Sequence, residues 1–445
     1  MAPSSEVGAG RYSVSYSPGA QELSVSAVFP AGTPSLFAVE PGSGAWLADV
    51  EVRTRDAFAR AKVRDDGVEV PCARGCELRY RYALGAAGRA RLDIDTASTH
   101  GDLVVAPPST WLLAPVGGGD GGRLAFSVSA PEPARFVSGL PSLGGLHTVT
   151  VGALRRSPYA LFGPSQLIDV DEGDVHFSLA LPTRRRHPAP ELFVSWIRAS
   201  ARAVRGVLGA FPARHAALIV LIQPGSDVDF GVSLAGSSIV LYVGADTPRE
   251  AFAEDWVLTH EMLHFAFPAQ PDARDWSEEG LATYVEPFAR VRAGLLREES
   301  AWEGLVRGFR FGQPQPGDEG LDRTRTWGRV YWGGTLFYFE ADCRIRERTG
   351  DKKGLSDALS AIVREGGTNG ADWSVEKAFA VGDRGTGMPV LTELLARHGS
   401  RPVPFDYEAR LEELGVKVDA QGKVRLDEDA RRAGTRRAMV GRGRE

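Results

Sequence analysis

Five consecutive residues, His260-Glu261-Met262-Leu263-His264, constrain this chain more than any other feature. Residues four apart on an α-helix lie one turn above each other. Both imidazoles can therefore reach one metal ion, with Glu261 beside them on the adjacent row. The reading needs a helix, and the flanks predict one: Thr247 as N-cap, Pro248 at the first helical position, Glu250 completing a capping box, and Pro268 ending the helix after Phe267. With eight His and 57 acidic residues, chance gives such a pattern in about one chain per hundred of this composition. The competing reading is a pair of hydrogen-bonded core histidines.

A catalytic zinc takes three protein ligands and keeps one position open for water, so a third ligand must return from farther along the chain. The segment PAQPDARD is a suitable reversal into Trp276-Ser277-Glu278-Glu279-Gly280-Leu281-Ala282-Thr283-Tyr284. Ser277 is the expected N-cap of a second helix, and both acids fall in its first turn, where they complement the helix dipole. A third stretch, RVYWGGTLFYFEADCRIRERTG over residues 329–350, places Tyr331 in an apolar helix, where packing alone would account for it.

Together these motifs resemble the gluzincin peptidases, in which the HExxH helix is followed by a helix presenting a glutamate in a pattern similar to (N/S)EG(F/L)A(S/T)Y. The resemblance implies a thermolysin-like mixed α/β catalytic domain and one Zn²⁺ held by His260, His264 and Glu279. It also implies Glu261 as general base and leaves Glu278 as a helix-start acid. YWGG followed by IRERT is most similar to the bacterial glycyl aminopeptidase family, which implies a catalytic role for Tyr331. The likeness covers residues 160 to 415 well and the N-terminal part weakly. It departs from that family in two ways. The usual PDZ domain would not fit in the roughly thirty residues after 415. The glycine-rich stretch Phe230 to Ser238 also lacks the acid that holds a substrate amine in related aminopeptidases.

The expected architecture is an α+β multidomain chain. Residues 1–160 carry short alternating runs such as RYSVSYS and ELRYRYAL between Gly, Pro and Asp, which predict a β-sandwich. Residues 161–290 form the mixed α/β catalytic domain, 291–418 a helical C-terminal domain, and 419–445 a solvated basic tail. A hydrophobic content of 43% and a net charge of −5 suit a globular protein. They argue against nucleic acid as a partner, and no apolar run is long enough to span a membrane. Cys72 and Cys76 in PCARGC are expected to form a small-loop disulfide, with Cys343 buried and free. That disulfide would favour an extracytoplasmic location if a signal was removed, and free thiols would favour the cytoplasm.

The expected chemistry is peptide hydrolysis by metal-activated water, with Glu261 moving the proton and the Tyr331 hydroxyl meeting the oxyanion. The FGVSLAGSS segment would add an extended substrate along its edge, with Gly236 and Ser237 allowing close approach, and Arg329 would meet a substrate carboxylate. Two other classes stay open at this point. One is a zinc hydrolase acting on something other than peptides; the other is a scaffold protein with structural zinc and a β-rich interaction domain.

Overall fold

The structure is a computed structural model describing residues 10–54, 57–90, 96–234 and 236–441. Its N-terminal part is β-rich. Strand Gly10–Ser17 alternates strictly between buried and exposed, with Tyr12, Val14 and Tyr16 facing inward and serines outward. It pairs antiparallel with Glu22–Ala31 and parallel with Arg123–Ser129 in an eight-stranded sheet. The inward face shares one apolar core with Phe37 and Val68 of a four-stranded sheet and with Trp111 and Phe162. The phenols of Tyr12 and Tyr80 are satisfied by the Leu113 and Trp111 carbonyls. Cys72 and Cys76 are joined as a disulfide, and Cys343 is free and buried.

The second large sheet crosses residue 160 by hydrogen bonding. Strands Leu103–Val105 and Ala134–Ser138 both pair with Ala160–Glu172, which continues through Val175–Pro182, His215–Gln223 and Ser238–Gly244 to Val228–Leu234 at the edge. Val175–Pro182, His215–Gln223 and Ser238–Gly244 run parallel, and helix Pro190–Leu208 makes the first crossover. Phe193, Trp196, Ile197, Val204 and Leu208 recur at helical spacing along that helix and bury one stripe against the sheet. The edge strand Val228–Leu234 is antiparallel to Ser238–Gly244, and its other side, where the Leu234 carbonyl accepts from Asn369 Nδ2 at 3.2 Å, borders the site described below.

After residue 247 the chain is helical to Leu414. The expected solvated tail is instead packed. Residues Val416–Val418 and Val424–Leu426 form a hairpin, and helix Ala433–Met439 folds back onto Glu298–Gly312 and its neighbours. Arg436 is fully buried; its Nε meets Glu298 at 2.9 Å, and its Nη1 donates to the Leu414 and Asp427 carbonyls. A run of arginines reads as solvated because its charges favour water. Here a buried glutamate and two backbone carbonyls replace that water.

Candidate active site

The HEMLH helix is shorter than its start signals predict. Arg249–Glu254 and Val257–His264 are separate helices, broken at Asp255, whose ψ of 142° is extended. The cap is Asp255: its two oxygens accept from the Val257 and Leu258 amides at 3.1 Å and from the Trp196 indole at 2.9 Å. The Thr247 hydroxyl is turned away, donating to the Asp227 and Gly244 carbonyls. The next cap is also corrected. Ser277 lies inside helix Trp276–Arg292, and its hydroxyl donates to the Arg274 carbonyl.

The two helices bring the predicted groups together. His260 and His264, both buried, have ring centroids 5.0 Å apart. Glu279 Oε2 lies 3.1 Å from His260 Nε2 and 3.7 Å from His264 Nε2. Burial pushes the Glu279 carboxyl up, but the two imidazoles and a hydrogen bond with Tyr331 outweigh it and hold it below the usual range. Its neighbour Glu278 points elsewhere: it accepts from the Gln270 amide and fastens the reversal between the helices, and burial raises its carboxyl to about 8.

Glu261 is buried, and desolvation raises its carboxyl to about 7 even though the Ser233 hydroxyl and amide both donate to it. Ser233 belongs to the edge strand. At Gly231, two residues earlier, a Cβ would come within 2.7 Å of Glu261 Cγ and 2.8 Å of a Val257 methyl. Only glycine lets the strand lie this close to the helix.

Tyr331 sits in a π-helical segment, Gly328–Gly333, that leads into helix Gly334–Thr349. Glycines set its position. Gly280, directly after Glu279, meets the backbone of Gly334, so any side chain at either would push the two helices apart. Gly308 and Gly312 leave room for the ring and carbonyl of Trp332. Burial, together with the charges of Glu279 and Glu261, raises the Tyr331 phenol well above its ordinary range, so it stays protonated as a donor.

Three expectations for substrate contacts are corrected. Arg329 is 2% exposed; its Nε lies 2.7 Å from Asp318, itself 1% exposed, and its Nη1 donates to the Gly312 carbonyl, so it cannot meet a substrate carboxylate. Gly236 and Ser237, at φ of +96° and +82°, form the turn after the edge strand. Gly236 packs on Pro158, outside the cleft. The part of this strand that faces the cleft is Asp229 to Leu234. Sequence reasoning missed Asp255, although an Asp just before an apolar helical run was a readable cap signal; Ser233 and Asp318 carried no signal.

The residues fit a zinc ion. Donor atoms of His260, Glu261 and His264 lie within 4.8 Å of one another. Zn–N and Zn–O bonds of about 2.0–2.1 Å at tetrahedral angles need ligand atoms roughly 3.3 Å apart, which the Glu279 distances of 3.1 and 3.7 Å bracket. Glu279 suits the third position better than Glu261, whose carboxylate is taken up by Ser233. These groups line a cleft of about 1740 Å³ that also draws wall residues from the β-rich part, including Glu40, Ser109 and Arg156.

No family model and no curated protein matches the sequence. Solved structures do match. One is an aminopeptidase N family protein from Idiomarina loihiensis, with a TM-score of 0.71 and 14% identity, covering 92% of this chain and 79% of that one. Another is an M1 zinc metallopeptidase from Deinococcus radiodurans, with a TM-score of 0.55 and 15% identity, covering 89% and 94%. A mutant of an M1 zinc metallopeptidase from Deinococcus radiodurans bound to a Tyr-Ser-Ala substrate matches with a TM-score of 0.53 and 16% identity, covering 89% and 95%. At such identities the likeness is one of architecture: this chain, with its β-rich N-terminal part and helical C-terminal region, has the fold of the M1 zinc metallopeptidases.

Proposed function

We propose that this protein is a zinc-dependent peptidase. The observation that carries the reading is the convergence of His260 Nε2, His264 Nε2 and Glu279 Oε2, with the Glu261 carboxyl buried beside them in a cleft bordered by the edge strand of a sheet. His260, His264 and Glu279 would hold one Zn²⁺, which when bound supplies Lewis acidity and makes water acidic near neutral pH. Glu261 takes a proton from the attacking water as the oxygen adds to the scissile carbonyl carbon. It returns that proton to the leaving nitrogen as the C–N bond breaks. The Tyr331 hydroxyl, engaged with Glu279, is the donor available to the developing oxyanion.

The peptide is read as an added strand along Asp229 to Leu234, where Gly231 keeps the strand against Glu261. The finer likeness to bacterial glycyl aminopeptidases, with a thermolysin-like catalytic domain, belongs to the same proposal and rests on SEEGLATY and VYWGG. Restriction to amino termini does not, because the stretch Phe230 to Ser238 has no acid and Asp229, just before it, accepts from the Gln223 side chain. The Cys72–Cys76 disulfide supports an oxidising, extracytoplasmic compartment.

The test joins metal analysis to peptide-library digestion of the purified chain. The expected result is one zinc per chain and cleavage of internal or terminal peptide bonds. Bound zinc with hydrolysis of esters but of no peptide would overturn the reading, as would a closed four-ligand zinc site without turnover.

A further inference from the structure

Four Phe and Trp side chains are exposed among the described residues: Phe230 at 53%, Trp256 at 52%, Phe311 at 43% and Trp327 at 60%. All four line the cleft that holds His260, Glu261 and His264. Scattered exposed apolar residues need no explanation, but exposed aromatics gathered at a single concave site mark a binding surface. Two of them are tied to the reacting centre by helical spacing. Trp256 stands one turn before His260, ring edge to ring face at 5.4 Å, and Trp327 stands one turn before Tyr331 at 6.3 Å. Phe311 extends the Trp327 surface at 5.6 Å, and Phe230 projects from the edge strand against Tyr242 at 5.8 Å.

The backbone holds Trp256 in place: Asp255 caps the helix that begins at Val257, and the Trp256 carbonyl accepts from the His260 amide at 3.0 Å. An indole fixed at a helix start, half in water and in contact with a metal-site imidazole, gains apolar contact only when something else covers it.

We infer that the cleft selects peptides with an aromatic or large aliphatic residue next to the scissile bond, and that Trp256 and Trp327 determine this specificity. The inference rests on the peptidase reading. An extended peptide lying along Asp229 to Leu234 passes His260 and Tyr331, so its side chains nearest the reacting carbonyl meet these two indoles, and a bulky apolar one removes most water from them. Small residues such as glycine leave both indoles wet, so on this point the chain departs from the glycine preference that its likeness to glycyl aminopeptidases implies. A hydrophobic subsite of this kind discriminates by roughly 10- to 200-fold.

The experiment uses the zinc-loaded full chain and two peptide series identical except for Phe, Leu, Ala or Gly on either side of the cleaved bond. Wild type is expected to show kcat/KM for Phe or Leu at least roughly tenfold above Gly on one side of the bond or both. Trp256→Ala or Trp327→Ala should collapse that ratio towards one with zinc content unchanged, and Trp256→Phe should restore it. A wild-type ratio near one overturns the inference, as do variants that slow every peptide equally. Calorimetric binding of the same peptides to zinc-loaded Glu261→Gln separates the two proposals. Tighter binding of the Phe series without any turnover by wild type would sink the peptidase reading and overturn the scissile-bond selectivity with it, leaving the two indoles as a site that binds bulky apolar side chains. Equal affinities would sink this one alone.

Discussion

Two groups of buried charge in the helical half of the molecule are satisfied in opposite ways. Arg329 and Asp318, both almost fully buried, close on each other at 2.7 Å, and Arg436 and Glu298 do the same at 2.9 Å. Each cation finds an anion, with a backbone carbonyl taking a further donor. In the other group, two imidazole nitrogens and a Glu279 oxygen face one another at 3.1 to 3.7 Å, with a second carboxyl, Glu261, behind them and no lysine or arginine among these four groups. His260 and Glu279 are hydrogen-bonded at 3.1 Å, and a cation placed among the same two imidazoles and two carboxyls would satisfy them as well. A closed ion pair is therefore architecture. A cluster of imidazoles and carboxyls is the donor set proposed above to hold zinc.

The sharpest way to break this comparison is at Glu261. Glu261→Gln keeps the shape but cannot carry a proton, and turnover should fall by on the order of 1000-fold or more while zinc stays bound. Metal analysis beside steady-state rates checks both halves, and full activity would return Glu261 to packing. In the closed pair, the expected loss is stability. Arg329→Ala leaves Asp318 buried and uncompensated and should cost about 3–5 kcal/mol in denaturant unfolding, whereas replacing both by apolar residues should restore most of it. A loss below about 1 kcal/mol would show that the pair is not closed to solvent.

Tyr331→Phe removes one donor from the open cluster, so kcat should drop roughly 10- to 1000-fold with little change in melting temperature. The smallest effect concerns a buried imidazole outside both groups. His398 is stacked on Phe405 at 4.1 Å, and burial, reinforced by the Arg397 and Arg329 charges, lowers its pKa to about 4. The folded value lies below the unfolded one of about 6.5, so between them the unfolded chain binds the proton and the folded chain does not. Stability should fall as pH drops from about 6.5 to 4, by on the order of 2 kcal/mol, and level off below. The same unfolding series on His398→Phe should be flatter across that window.

The grouping of the candidate site residues is legible because it is written locally. HEMLH carries its geometry in a four-residue period, and Glu279 and Tyr331 were recognised by the short motifs around them. The β-rich and helical halves were equally legible, since periods of two and of about 3.6 are properties of a few consecutive residues. The start signal at Thr247 was misread because two caps competed, and Asp255 wins by also taking the Trp196 indole, 59 residues away.

What the sequence alone determined is thus which residues are candidates for the proposed ligand set and the periodicity of its elements. Tertiary structure decided everything that depends on partners distant in the chain. Asp318 removed Arg329 from the cleft, Glu298 drew Arg436 out of the predicted tail, and pairing across residue 160 joined the two β-rich stretches. It also decided how close the parts could come, through Gly231 against Glu261 and Gly280 against Gly334. The physical reason is the same in each case: burial of a charge, or of a bare backbone, is tolerated only when its complement arrives from elsewhere, and sequence spacing does not record that arrival.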